Sequence, residues 1–253
     1  MIRRTAAVIV ARFRRRYYEW SDSRWFLGSL VANETVLPLL GFFVWQSLRP
    51  SEGDVDLYFY FLIWTSIATA SYEHHSVSNR IYDGSLAQDL LVPGYPPTLY
   101  FADNLALRGW LLALSAPFLI PLGILIGGFT FKQLILFLPA VTFAAVIRFL
   151  LGWCVALLAF WTGRAASIAG LVNALNFTLG GVALPLMFVE SPWSDVLVAL
   201  PFYCSLGLPA SIADGSGSLA QGLQFQLLWT IALGAAAFLL WKIGVRRFDA
   251  VGG

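Results

Sequence analysis

The sequence predicts an all-α, polytopic membrane protein. It has six transmembrane helices, an N-terminal amphipathic interface helix, and an outer-leaflet re-entrant helical hairpin before the last span. Three observations predict it. Hydrophobic residues make up 58% of the chain and charged residues only 12%, with a mean hydropathy of +0.74, whereas a soluble domain carries about 25% charge. Apolar runs of about twenty residues recur, long enough to cross a hydrocarbon core of about 30 Å. Lysine and arginine fall on alternate connections, as a fixed orientation requires.

The elements follow in order. Over residues 2–20, Ile2, Ala6, Ile9, Phe13, Tyr17 and Trp20 recur at three- and four-residue steps. They form one apolar stripe, with Arg12, Arg15 and Arg16 away from it. This is expected to be a helix lying in the cytoplasmic interface, attracted to anionic lipid. The first span covers 26–48, with Glu34 inside it and Pro38 as a kink site. Glu52, Asp54 and Asp56 make the loop 49–56 acidic. The second span covers 57–78 and ends on Glu73-His74-His75. The third covers 99–127, with Pro117 and Pro121, and a Gly127-Gly128 turn follows. The fourth, 132–161, carries Arg148 near its middle. The fifth, 165–189, places Asn173 and Asn176 on one face, with Gly180 a turn further on. Residues 190–219 are interrupted by Pro201 and Pro209, too short and broken for a lone span, and predict two short helices dipping into the outer leaflet. The sixth span covers 219–245. The whole chain, 1–253, is one transmembrane domain.

Orientation follows from the basic residues. With the N-terminus cytoplasmic and six spans, the inside holds Arg3, Arg4, Arg12, Arg14, Arg15, Arg16, Arg24, Arg80, Arg108, Arg164, Lys242, Arg246 and Arg247. The outside holds Arg49 and Lys132, and Arg148 is intramembrane. The count of thirteen against two puts both termini in the cytoplasm. A seventh span through 196–212 would move the basic C-terminus outside.

The same orientation makes residues 80–94 cytoplasmic. Asp83-Gly84-Ser85 reads as a turn into a helix start. Leu86, Leu90 and Leu91 then share an apolar face, with Gln88 and Asp89 beside it, over about two turns. Pro93-Gly94 ends the helix and Pro96-Pro97 stiffens the exit. Such a piece is either a handle for another protein or an ordinary interfacial loop.

Glu34 and Arg148 are the only formal charges placed deep in spans. Each alone costs at least about 2.5 kcal/mol at a helix centre, so they face protein, water or each other. They lie about 12 Å and 20 Å from the cytoplasmic side, an offset that two long side chains can close. They are a structural ion pair or part of a substrate route. Asn173 and Asn176 line a path or bond across a helix interface. Glu73, His74 and His75 are expected at the water boundary. Adjacent histidines are poor geometry for one metal on a helix, and Cys154 and Cys204 have no partner spacing. There is no phosphate-binding glycine loop and no Ser/His/Asp set.

Three stretches resemble the membrane permeases of ATP-binding-cassette (ABC) transporters with type-2, exporter-type membrane domains. They are Asp83-Gly-Ser-Leu-Ala-Gln-Asp-Leu-Leu-Val-Pro93; Pro185-Leu-Met-Phe-Val-Glu-Ser-Pro-Trp193 with Leu200-Pro-Phe202; and the ending Arg246-Arg-Phe-Asp-Ala-Val-Gly-Gly253. Val92 departs from the arginine that often precedes the proline there. The resemblance implies that Asp83, Gly84, Ser85, Leu86, Gln88, Asp89, Leu90 and Leu91 form the ATPase-coupling helix. It implies a separate ABC ATPase subunit that holds ATP and Mg, no cofactor on this chain, and no enzyme activity of its own. It also implies a second permease copy or a homologous permease, giving a homo- or heterodimer, in a bacterial-type plasma (inner) membrane. No nucleic-acid partner is expected. An apolar or lipid-like cargo fits the aromatic, weakly charged spans. The competing classes are an integral membrane enzyme acting on lipid-linked substrates, which needs an acidic or histidine cluster at one interface, and a secondary transporter, which favours inverted repeats.

Overall fold

The computed structural model describes residues 2–48, 55–92, 95–125 and 130–248, with side chains from residue 7 onward. Residues 49–54 of the expected acidic loop, Pro93-Gly94, the Gly127-Gly128 turn and the last five residues lie outside the described residues, as do the side chains of Ile2, Arg3, Arg4 and Ala6, whereas Asp56 falls in the first turn of the helix that begins at Val55. The regular elements among the described residues are all helices, without strands. The helices are α1 (Ile2–Ser21), α2 (Arg24–Leu48), α3 (Val55–Ala68), α4 (Glu73–Tyr82), α5 (Leu86–Leu90), α6 (Pro96–Leu125), α7 (Phe131–Leu157), α8 (Ala165–Leu179), α9 (Trp193–Ala199), α10 (Pro201–Ser205), α11 (Gly207–Asp214) and α12 (Leu219–Gly244). Four of them, α2, α6, α7 with its short 3₁₀ extension, and α12, are long and apolar enough to cross a membrane.

The expected second span is broken. α3 ends at Ala68 and α4 begins at Glu73, so residues 69–72 leave the helical path. A break in an apolar setting frees backbone carbonyls that need donors. Two residues one helical turn apart on α6 supply them. Arg108 donates from Nε to the Ala70 carbonyl at 2.9 Å and from Nη2 to that of Thr69 at 3.1 Å, and Asn104 Nδ2 donates to Ala70 at 3.1 Å. A third bond, Arg108 Nη2 to the Ala145 carbonyl at 3.0 Å, ties α7 to the same guanidinium. Arg108, counted above with the cytoplasmic charges, is therefore buried within the helices, and Glu34 and Arg148 are not the only internal charges. Moving it changes the count of basic residues behind the expected orientation to twelve against two.

The fifth helix is also shorter than expected. α8 stops at Leu179, where Gly180-Gly181 turns the chain. Gly181 has φ +85° and gives its carbonyl to the buried Tyr58 hydroxyl at 2.9 Å. A β-carbon there would stand 2.4 Å from Tyr58 Oη. Gly181→Ala should therefore combine left-handed strain with overpacking and cost about 2–4 kcal/mol, readable as a loss of thermal stability in detergent. After the turn, Trp45 of α2 stacks on Phe188 at 4.4 Å and donates from Nε1 to the Ala183 carbonyl.

Residues 193–214 form three short helices, α9, α10 and α11, rather than two. The additional boundary falls at Leu206, between α10 and α11. They are seated against α3, α7 and α12. Gln226 of α12 ties them down, its Nε2 donating to the carbonyls of Ala140 and Cys204 at 2.9 Å each. One apolar cluster gathers Tyr58, Phe61 and Phe137 with Leu206 and Ala210. Another, around Trp153 and Trp241, holds Val77, Ile81 and Leu86 at the opposite end of the bundle.

α1 packs along α6, with Tyr17 stacked on Trp110 at 4.8 Å and the Trp110 indole donating to the Tyr17 carbonyl at 2.7 Å. Arg12 and Arg16 face α6 as well, instead of lying away from the apolar stripe. Their partner there is Asp103, which Arg12 holds in a fork at 3.0 and 2.8 Å. Val10, Arg14, Arg15 and Tyr18 remain exposed on the other side.

Candidate functional site

Two cavities flank the α3–α4 break. The inner one, about 330 Å³, takes walls from α2, the break, α7 and α8, and is lined by Glu34, Ser71, His74, Arg148, Asn173 and Asn176. Thus the structure brings all four intramembrane candidates into one space. Arg148 Nη2 donates to Glu34 Oε2 at 3.1 Å, and Tyr72 Oη donates to Glu34 Oε1 at 3.0 Å. Arg148 Nη1 completes its shell with Thr69 Oγ1 at 3.1 Å and the Ser66 carbonyl at 3.5 Å. The side chains of Glu34 and Arg148 are 8% and 16% exposed. The pair thus joins α2 to α7 across the C-terminal end of α3, where a cation is also favoured by the helix dipole.

The two asparagines play different parts. Asn176 is buried, and its amide has one contact, from Ser205 Oγ at 3.5 Å. Asn173 is exposed and lines the cavity, and its side chain makes no hydrogen bond to the described residues. The helix-interface role open to this pair is therefore weakly used.

The outer cavity, about 600 Å³, lies between α1, α2, α4 and α6. Its lining mixes Trp20, Phe26 and Leu107 with Arg16, Arg80 and Asp103. Tyr72 and His75 line both cavities and so form the partition between them. Of the Glu73-His74-His75 trio, only His75 is at an open surface; Glu73 and His74 are buried in protein. The reason is the break itself, which turns the first residues of α4 inward. Glu73 accepts from Ser71 Oγ, and Gly152 of α7 gives both room, since a β-carbon there would lie 2.8 Å from Ser71 Oγ.

The polar island is a turn and a short helix rather than two full turns. Gly84 has φ +76°, and the Asp83 carboxylate caps the Ser85 amide at 2.9 Å. Hydrogen bonding from the Ser85 side chain first, and from this amide second, holds the Asp83 carboxyl below its ordinary pKa. The expected docking face is divided. Leu86 is fully buried against the chain's own Trp153–Trp241 cluster, and Asp89 is only 4% exposed. Gln88 is exposed, Leu90 is 37% and Leu91 86% exposed. Leu86 turns inward because α4 and α7 offer it an apolar slot.

Asp89 turns inward because three donors wait for it. Arg80 and Tyr100 Oη both donate to its Oδ2, and Arg12 Nη1 reaches its Oδ1 at 3.3 Å. Burial alone would raise this carboxyl's pKa. The Tyr100 hydrogen bond and the two arginines outweigh it, and the net shift is downward. The fork with Asp103 in turn raises the Arg12 pKa. Sequence reading missed Arg12, Asp103 and Arg108 as structural charges. The available signals were Asp103 and Arg108, polar positions within a segment otherwise apolar enough to span.

A comparison with curated proteins found no match. The chain does match the ABC-2 family transporter protein family over residues 53–252. That range contains Arg148, both asparagines, the broken span and the polar island, while α1 and the whole of α2, with Glu34, precede it. A match over most of its length, on an all-helical fold with four membrane-length apolar helices, places this chain in the ABC-2 family of transporter membrane proteins, as an ABC transporter permease.

Proposed function

We propose that the chain is the membrane subunit of an ABC exporter, working as a pair of permeases on a separate ATPase. In this reading it crosses the membrane six times, through α2, the broken α3–α4, α6, α7, α8 and α12. Both termini are cytoplasmic, and α9–α11 sit in the outer leaflet of a bacterial-type inner membrane. The basic-residue count supports the orientation. The inner cavity is the transport route, and its cargo is lipid-like, with a polar part.

The observation that carries this reading is the placement of α4. Its N-cap Tyr72 and first-turn His75 form the partition between the two cavities, and its last turn runs through Asp83-Gly84-Ser85 into α5. A helix of ten residues, about 15 Å long, thus links the one exposed apolar pair of the island, Leu90-Leu91, to the charge pair in the cavity. Movement imposed on α5 by ATP binding reaches the cavity wall through one rigid piece.

The experiment is co-purification of the permease with its ATPase, with ATP-driven efflux as the functional readout. Leu90→Asp and Leu91→Asp should weaken association about 10- to 100-fold, because each puts a charge into an apolar contact, while leaving the permease folded. Leu86→Asp should instead fail at folding. Full association and efflux in both Leu90→Asp and Leu91→Asp would make the island an ordinary loop. Orientation is tested separately: Ser216→Cys should react with an impermeant maleimide in intact cells and Ser85→Cys should not. Labelling of Ser85→Cys from outside would invert the topology.

A further inference from the structure

The inner cavity holds a constraint on what passes through it. Glu34 and Arg148 are nearly enclosed, and their opposite charges cancel. Any cargo entering between them must replace what each loses, because an uncompensated charge in such a site is strongly disfavoured. A simple anion satisfies Arg148 and strands Glu34. A simple cation does the reverse. An uncharged polyol replaces neither charge and leaves the pair closed. A molecule with both signs in one head replaces both.

The rest of the cavity suits such a head. Tyr72 already occupies Glu34 Oε1, so Oε2, the oxygen now held by Arg148, is the one an incoming cationic group takes. Arg148 keeps Thr69 and Ser66 through Nη1 and frees Nη2 for an anionic oxygen. Asn173 and the incompletely bonded amide of Asn176 line the same space as further partners. Leu37, Phe177, Val182 and Leu206 give it an apolar wall. We propose that this cavity binds a zwitterionic head group, its anionic part on Arg148 and the asparagines and its cationic part on Glu34, with an apolar remainder along α2 and α8. As a statement about cargo, this rests on the permease reading above.

The probes are four amphiphiles with one twelve-carbon tail and different heads: phosphocholine, phosphate, trimethylammonium and maltoside. The full chain carrying Leu37→Cys is placed in phosphatidylglycerol nanodiscs, where no zwitterionic lipid competes, and the rate of maleimide alkylation at that thiol is followed with submicellar probe. Phosphocholine at about ten times its Kd should slow the reaction about tenfold, and the other heads should change it by less than about twofold. With Glu34→Gln the preference should pass to phosphate, and with Arg148→Gln to trimethylammonium. The pair Glu34→Asp and Arg148→Lys keeps both charges and should keep the phosphocholine preference. Each variant is judged by the ratio between heads in one protein, so a general loss of stability does not imitate the result. Equal protection by all heads, no protection by phosphocholine, or a phosphocholine preference that survives both neutralising substitutions would overturn the proposal. ATP-driven efflux is scored apart. Transport without phosphocholine protection counts against the head-group class and leaves the permease reading standing. Protection without any ATP-driven transport counts against the permease reading and leaves the site.

Discussion

Replacing Arg148 by Gln should cost the folded protein about 3–5 kcal/mol, because it leaves the Glu34 carboxylate buried with one neutral donor, Tyr72. Glu34→Gln should cost less, since a glutamine at 34 still offers Arg148 an amide oxygen and Arg148 retains Thr69 and Ser66. The double variant should cost less than the sum, with a coupling of about 1–3 kcal/mol, since neither charge is left alone. The measurement is a double-mutant cycle on thermal unfolding of the purified chain in detergent. Strict additivity would dismiss the pair as a structural contact. An unchanged stability in Arg148→Gln with transport abolished would assign Arg148 wholly to the route. Because the pair joins α2 to α7 across the α3 terminus, the loss should also loosen the α3–α4 break. Backbone amide exchange at residues 69–76 should rise in Arg148→Gln and not in Asn173→Ala.

How much of this was legible depends on where each cause lies. The four long helices could be read directly, because an apolar run above about eighteen residues is sufficient reason for a helix in lipid. Glu34 and Arg148 stood out for the complementary reason: charge inside such runs demands a partner. The break at 69–72 could not be read locally. Thr69-Ala70-Ser71 is only mildly polar, and what permits the chain to leave the helix is Arg108 and Asn104, supplied by another helix 34–39 residues along the chain. The same holds for α8, whose end depends on Tyr58 meeting Gly181 from 123 residues away. For the polar island, periodicity found the apolar positions but not their partners. A helix of five residues has room to point Leu86 inward and Leu90-Leu91 outward, and only the neighbouring Trp153–Trp241 cluster decides which leucine goes where.

Asp89 carries the second large effect. Its carboxylate joins three segments distant in sequence: Arg12 on α1, Arg80 on α4 and Tyr100 on α6. Asp89→Ala should cost about 2–4 kcal/mol; Arg80, partly exposed, recovers some solvation, while Arg12 keeps Asp103. Asp89→Asn keeps an acceptor and should cost about half as much. The effect also has a pH signature. The folded-state pKa of Asp89 lies below the ordinary value of 3.8. Its contribution is therefore complete above that value and is lost as pH falls through the lower folded one. Acid unfolding of the wild type should include this component, and the difference in stability between wild type and Asp89→Asn should shrink steadily below pH 3.8. Arg12→Met should cost less than Asp89→Ala, because Arg80 and Tyr100 still hold the carboxylate. The discriminating measurement is coupling: with α5 no longer pinned to α1 and α6, Asp89→Asn should retain ATPase association through Leu90-Leu91 but lose several-fold in transport per ATP hydrolysed. A destabilisation below about 0.5 kcal/mol, the range of ordinary surface substitutions, together with unchanged coupling, would mean that this buried network neither holds α5 nor transmits anything through it.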